Sequence, residues 1–458
     1  MTVLAGEIAA LREAEPFGIS GRVESLRGLT VLVDELPAPV GALVEIDGAT
    51  LGEVTGFAGG RSVVMTYGGL AGVRPGQAVR LRQPNPTAPV GKAMLGRVLN
   101  GLGDPIDGAG PVRDCVRRAL APAPIAAMRR SRIAQPLRTG VRSIDLMTPV
   151  GKGQRLGIFA GPGVGKSTLL GQIARGTSAD VSVIALIGER GREVREFIEE
   201  SLGDEGRQRS VVVVATGDES PLLRLRAARL ACAAAEHFRD QGFDVMLMMD
   251  SVTRFAHAQR QVGLSVGEPP STRGYTPSVF AEMPLLLERA GVIDGGRGSV
   301  TGLYTILVEG DDMTEPVADA ARGILDGHVI LERKLAQKGH FPAVDVLDSV
   351  SRVAEAICDR THTAAARQIV RMMALYREVE ELVQIGAYAR GSDAETDVAI
   401  DFAPAINDLL RQGRDEPAPF EASRELLIKI AMQTGEEVQR RRQDGQAAAR
   451  AGRGERRR

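Results

Sequence analysis

The chain has 458 residues, 43% of them hydrophobic and 25% charged, with a net charge of −1. That length holds two to four domains of ordinary globular composition, and the near-zero charge excludes a global field that gathers nucleic acid or membrane. Aromatics at 3% with no Trp argue against a base-stacking surface. The widely spaced Cys115, Cys232 and Cys358 read as reduced thiols, and the absence of a long apolar run or a basic leader implies a soluble, intracellular protein.

Residues 1–19 carry one short amphipathic pattern, Glu7–Glu13, which suits a partner-binding segment or a solvated terminus. Residues 20–84 read as a small closed β-barrel. Short Val- and Leu-rich runs recur there at roughly ten-residue spacing, punctuated by Gly, Pro and Asp. Residues 85–150 open on a Pro-rich stretch and read as a linker and entry segment.

Residues 151–345 alternate apolar runs with helical stretches. The runs are 156–159, 181–187, 211–215, 245–249 and 304–308. Continuous apolar strands divided by helices predict an α/β domain with a mostly parallel sheet covered on both faces. Ligands of such sheets sit beyond the carboxyl ends of the strands. Residues 346–440 read as a helical domain with one apolar stripe, Ile369, Met372, Tyr376, Val379 and Val383, taken as its core. Cys358 and His362 lie one turn apart there, short of the four ligands zinc requires, and read as packing residues. The Arg-rich stretch 441–458 is predicted to be disordered.

Chemistry concentrates in the alternating region. Gly161-Pro162-Gly163-Val164-Gly165-Lys166-Ser167-Thr168 lies between an apolar strand and a helix, the context of a phosphate-binding loop. Its backbone N–H groups and the helix N-terminus face phosphate oxygens, although Pro162 offers no N–H. Lys166 is placed to reach the β- and γ-phosphates of ATP, and Ser167 to put its hydroxyl on Mg2+. The strict pattern has Gly where this chain has Ala160, which fits unless that position needs a positive φ.

Asp250 ends the run Met246–Met249 and is the expected acidic partner of Ser167 at Mg2+. Glu189 ends the run 181–187 and is a candidate base that polarises the attacking water. Glu193, one turn later, is a candidate for the metal's water shell. An ion-pair network with Arg190, Arg192 and Arg195 is the alternative for both glutamates. Spacing alone does not single out a charge-stabilising arginine.

Long segments of the chain are more specific. Residues 159–170, 185–197, 249–256, 263–277, 307–312 and 341–349 resemble the ATPases of bacterial flagellar and type III protein export. The resemblance spans about residues 20–440, and the whole group is similar to the head subunits of rotary ATP synthases. It implies an N-terminal β-barrel, a RecA-like nucleotide domain and a C-terminal helical domain. By position, Glu189 resembles the family's catalytic glutamate and Arg254 its active-site arginine. Phe341 falls where an aromatic lies against adenine. Arg352 falls where an arginine finger is supplied by the neighbouring subunit.

One chain with both loop and finger implies a homohexamer. The resemblance further implies a cytoplasmic enzyme, peripheral to the inner membrane at the export gate, acting on chaperone–substrate complexes. A stator-like regulator at the N-terminus, a coiled-coil stalk in the central channel and membrane proteins of the gate are the implied partners, with no nucleic acid expected. The flagellar branch fits 185–197 and 263–277 better than the injectisome branch. A synthase head subunit and a hexameric nucleic-acid translocase are the remaining alternatives.

Overall fold

The computed structural model describes residues 18–308, 310 and 312–455, with side chains through residue 445. Most of the N-terminal segment expected to bind a regulator, together with Glu309 and Asp311 of the 307–312 motif, therefore lies outside the described residues. Six antiparallel strands open the described chain: β1 (Ser20–Arg27), β2 (Thr30–Asp34), β3 (Leu43–Ile46), β4 (Thr50–Ala58), β5 (Arg61–Thr66) and β6 (Ala78–Gln83). They close into a barrel in the order β1-β2-β5-β4-β3-β6. Alternation turns Val23, Val31, Val33, Val44, Val64 and Val79 inward to fill it.

The next segment is more than a linker. β7 (Thr87–Val90) pairs with β9 (Val116–Ala119), and between them β8 (Val98–Asn100) leaves to join the central sheet beside Val212–Val214. A second small pair, β10 (Pro136–Leu137) and β11 (Val150–Gly151), precedes that sheet.

The central sheet is built from β12 (Arg155–Ala160), β13 (Val181–Ile187), β14 (Ser210–Ala215), β15 (Asp244–Asp250), β16 (Gly291–Val292), β17 (Ser299–Leu307), β18 (Gly327–Leu331) and β19 (Val344–Ser351). Its order is β19-β18-β12-β17-β15-β13-β14-β8, with β16 pairing off β17. All these pairings are parallel except those of β16 and β19. Every residue of β13 and β14 is buried, as strands covered on both faces must be. The sheet runs to Ser351, six residues past the boundary expected from the sequence.

Helices α1 (Lys166–Gly176), α2 (Gly191–Glu196), α3 (Pro221–Asp240), α4 (Val252–Ser265), α5 (Pro277–Leu287) and α6 (Pro316–Ile324) connect the strands. α3 to α6 cover one face with one core, while α1 lies on the other. That second core continues into the C-terminal helices α7 (Arg360–Gln384), α8 (Ala394–Leu410) and α9 (Phe420–Glu455). The predicted stripe on α7 is fully buried at Ile369 and Met372 and half-buried beyond them. His362 is buried too, in hydrogen-bond contact with Leu146 O at 2.8 Å and stacked on Phe420.

α9 corrects one expectation. Residues 441–455 continue the helix rather than forming an irregular tail. Gln, Ala and Arg are good helix formers. Arg441 and Arg442 also pair with Asp401 and Glu395 of α8, which anchors the start of that stretch. Among the described residues no helix is long and apolar enough to cross a membrane.

Candidate active site at the carboxyl end of the sheet

β12 delivers the chain to the loop, and the loop turns directly into α1. Gly163 and Gly165 take φ of 77° and 91°, a conformation that favours glycine, and Gly165 is the N-cap of α1. Ala160 is still strand, paired with Leu307 and Leu331, so its methyl group meets no strained backbone. Ser167 and Thr168 stand exposed in the first turn of α1, where helix N–H groups lack intrahelical acceptors. An eleven-residue helix adds its positive dipole end at the same place.

Three charged groups, one from the first turn of α1 and two from the ends of β13 and β15, meet behind the loop. Lys166 Nζ lies 2.5 Å from Asp250 Oδ1 and 3.3 Å from Glu189 Oε1. Asp250 is buried at the end of β15, and Thr305 of β17 donates its hydroxyl to the same Oδ1 at 2.6 Å. Both contacts fall on Oδ1, which leaves the second oxygen to other ligands. A carboxylate oxygen and a serine hydroxyl are hard-oxygen donors of the kind Mg2+ takes.

Burial lowers the Lys166 ammonium, but Asp250 and Glu189 outweigh it and hold the group above its ordinary value. Burial pushes Glu189 up to about 7; Lys166 opposes this, while the Asp250 charge and a hydrogen bond shared with Glu193 add to it. Glu193 therefore sits against the Glu189 carboxyl. It also pairs with Arg190 at 3.3 Å, so the helix-surface ion pair anticipated as an alternative is present as well.

Arg254 follows in the first turn of α4 and crosses the turn before Glu189. A Cβ on Gly188 would lie 2.9 Å from Arg254 Cβ, so glycine is needed there for the approach, and its φ is 73°. Phe341 is 47% exposed, and its ring would lie 3.8 Å from a Cβ on Gly165. Its carbonyl accepts from Gln412 N at 2.9 Å, and Gln172 of α1 donates to Gly413 O at 2.9 Å. The segment after α8 is thus tied to the loop's own helix.

Arg352 is elsewhere. β19 runs antiparallel to β18: Val344 pairs with Leu331 near the loop, and Ser351 pairs with Gly327 at the far end. Arg352 follows Ser351, exposed at the amino end of the sheet; β19 bulges between Asp345 and Val350, so the two ends are separated by the span of Gly327–Leu331, about 13 Å at ~3.3 Å per residue. Its backbone N–H donates to Asp326 O at 3.0 Å, and its guanidinium touches Arg322 O at 3.4 Å. It is remote from its own chain's Lys166.

Known proteins similar to this chain share its family and fold. A family model described as the ATP synthase alpha/beta family, nucleotide-binding domain, matches residues 140–351. One described as the T3SS EscN ATPase C-terminal domain matches 358–429. The chain is 51% identical to the flagellum-specific ATP synthase of Treponema pallidum, covering 93% of this chain and 95% of that one. It belongs to the flagellum-specific and type III secretion ATPase family.

Other members fall in the same range. The type 3 secretion system ATPase of Xanthomonas euvesicatoria is 49% identical over 94% of this chain and 97% of its own. The assembled ATPase EscN of enteropathogenic E. coli superposes with a TM-score of 0.85 at 41% identity, covering 90% of this chain and all of that one. EscN in complex with its central stalk EscO gives a TM-score of 0.84 at 40% identity. The chain is thus an ATPase-family enzyme with the family's barrel, nucleotide domain and helical end.

Two residues of the site escaped the sequence reading. Thr305 fixes Asp250 from a neighbouring strand, and its only trace in the sequence is a threonine within the apolar run 304–308. Gly188 admits Arg254, and nothing local distinguishes it from any other strand-end glycine.

Proposed function

We propose that this protein hydrolyses ATP for bacterial flagellar protein export, as a homohexamer whose active sites are completed across subunit boundaries. The observation that carries the catalytic reading is Lys166 held between Asp250 and Glu189 at the mouth of a glycine-turned loop. The flagellar branch is supported by several flagellum-specific relatives, including that of Bacillus subtilis at 51% identity, while the injectisome relative at 49% is no closer.

In this reading Gly161–Thr168 cradles the phosphates and Phe341 flanks the base. Ser167 and Asp250 would hold Mg2+, which when bound neutralises charge on the β- and γ-phosphates. Lys166 exchanges a carboxylate for phosphate oxygens, and the relieved Glu189 takes a proton from the attacking water. A base with a pKa near 7 is matched to that task at neutral pH. Arg254 and the neighbour's Arg352 meet the charge that develops on the transferring group. Glu193 holds Glu189 in place and borders the metal's water shell.

Regulator, stalk and gate contacts on the cytoplasmic face of the membrane complete the reading. The stalk is supported by the EscN–EscO complex. Lys166→Ala tests the loop directly. Titration with a fluorescent ATP analogue should show lost affinity together with lost turnover, and a variant that binds and hydrolyses as well as wild type would show the loop assignment to be wrong.

A further inference from the structure

The exposed Arg352 leaves the sheet from a buried polar node. Gln154 ends the turn between β11 and β12 and is fully buried. The turn is closed twice: Gln154 N donates to Gly151 O at 3.0 Å, and Gly151 N donates back to Gln154 Oε1 at 2.9 Å. The Gln154 carbonyl accepts from Gly302 N of β17 at 2.9 Å, so the residue is also fixed to the sheet.

Its side-chain Nε2 points the other way, to the strand end that carries Arg352. It donates to Ser351 Oγ at 3.1 Å and to Asp326 O at 3.3 Å. Ser351 immediately precedes Arg352, and its hydroxyl donates onward to Pro149 O at 2.7 Å. Asp326 O is the same carbonyl that accepts from Arg352 N at 3.0 Å. Arg155, the residue after Gln154, holds the Asp326 carboxylate with Nε and Nη2, each at 2.9 Å. Both polar atoms of the Gln154 amide are thus partnered, and unmaking buried bonds of this kind is costly, so the node favours one arrangement.

We infer that Gln154 is a positioning residue for Arg352, setting the direction in which that arginine leaves its own subunit for the neighbour's active site. This rests on the shared-site reading above. The Arg352 guanidinium makes a long contact of 3.4 Å with Arg322 O, so its direction is set mainly by the backbone that Gln154 holds. Gln154 precedes β12 and the loop follows it, so the node and the subunit's own loop lie at opposite ends of one strand.

The test uses full-length proteins. Gln154→Leu keeps the apolar bulk and removes the amide. A misplacement of about 1 Å can cost ~10²-fold, so kcat should fall roughly ten- to a hundredfold while ATP still binds. Subunit mixing then locates the damage. Gln154→Leu keeps its loop, so mixing with Lys166→Ala, which keeps a well-placed finger, should restore activity. Mixing with Arg352→Ala, which has no finger to lend, should restore none. The reverse pattern would put the damage at the subunit's own loop and overturn the proposal; so would recovery in both mixtures or in neither, and so would an unchanged kcat. Should Gln154→Leu fail to fold, Ser351→Ala removes the partner hydroxyl, and the same pattern is expected there; an unchanged kcat in that variant also overturns the proposal. If Lys166→Ala and Arg352→Ala do not complement each other, the shared-site reading itself falls, and the proposal with it.

Discussion

The two ends of the central sheet are built by opposite rules. At the carboxyl end Lys166, Asp250, Glu189 and Thr305 interlock, half-buried or buried, each with a partner from another element. At the amino end Arg352 stands exposed, held by a backbone bond and one 3.4 Å contact. The first arrangement is a set of charged and polar groups preorganised by their own subunit. The second is a charged group displayed outward, at the opposite end of the sheet from its own subunit's loop. In the homohexamer proposed above, a head-to-tail contact would be what brings the amino end of one subunit's sheet to the loop of the next.

The largest way to break this comparison is Arg352→Ala. Loss of a finger supplied by the neighbour should lower kcat by ~10³–10⁵ while nucleotide still binds. Steady-state turnover beside equilibrium binding measures both, and a kcat near wild type would make the amino end irrelevant to chemistry. Glu189→Gln comes next, with ~10²–10⁴ lost from kcat and ATP affinity retained. Loss of affinity without loss of kcat would return Glu189 to the helix-surface ion-pair network.

The pH dependence sharpens the difference between the ends. Glu189 works as a base only when ionised, and its pKa is raised to about 7. The ionised fraction is lost as pH falls through that value, so kcat/KM should show an acid limb near 7 rather than near the ~4.3 of an ordinary glutamate. A limb at the lower value would contradict the desolvated site. The smallest effect is expected from Thr305→Val, which removes one hydrogen bond to Asp250. The Mg2+ concentration for half-maximal activity should rise about tenfold, as for other residues that orient metal ligands. An unchanged Mg2+ dependence would separate Thr305 from the metal's carboxylate.

Legibility in the sequence followed how local each feature is. The loop was readable because its glycines, Lys166 and Ser167 are consecutive and flanked by strand and helix. Asp250 and Glu189 were readable as acids at the ends of apolar runs. The fold class followed from the same alternation. β8 was left open between a short helix and a strand because three residues, Val98–Asn100, carry no periodicity, and only β14 makes them a strand. The helical course of 441–455 was missed because composition weighed charge above helix propensity, and the anchoring acids Glu395 and Asp401 lie on another helix. Thr305 is non-local in the same way, acting on Asp250 from 55 residues away. The role assigned to Arg352 came from family resemblance, and the position of Arg352 at the far end of the sheet supplies a physical reason for it.

The most direct test of shared active sites is a mixing experiment. Arg352→Ala protein keeps an intact loop, and Lys166→Ala protein keeps an intact finger. Each alone should be nearly inactive. Mixed in equal amounts and allowed to exchange subunits, roughly a quarter of the interfaces in a random ring would join an intact loop to an intact finger. The account predicts that ATPase activity returns on mixing and rises with hexamer content seen by mass photometry. Hexamers that form from both variants yet stay inactive would contradict it.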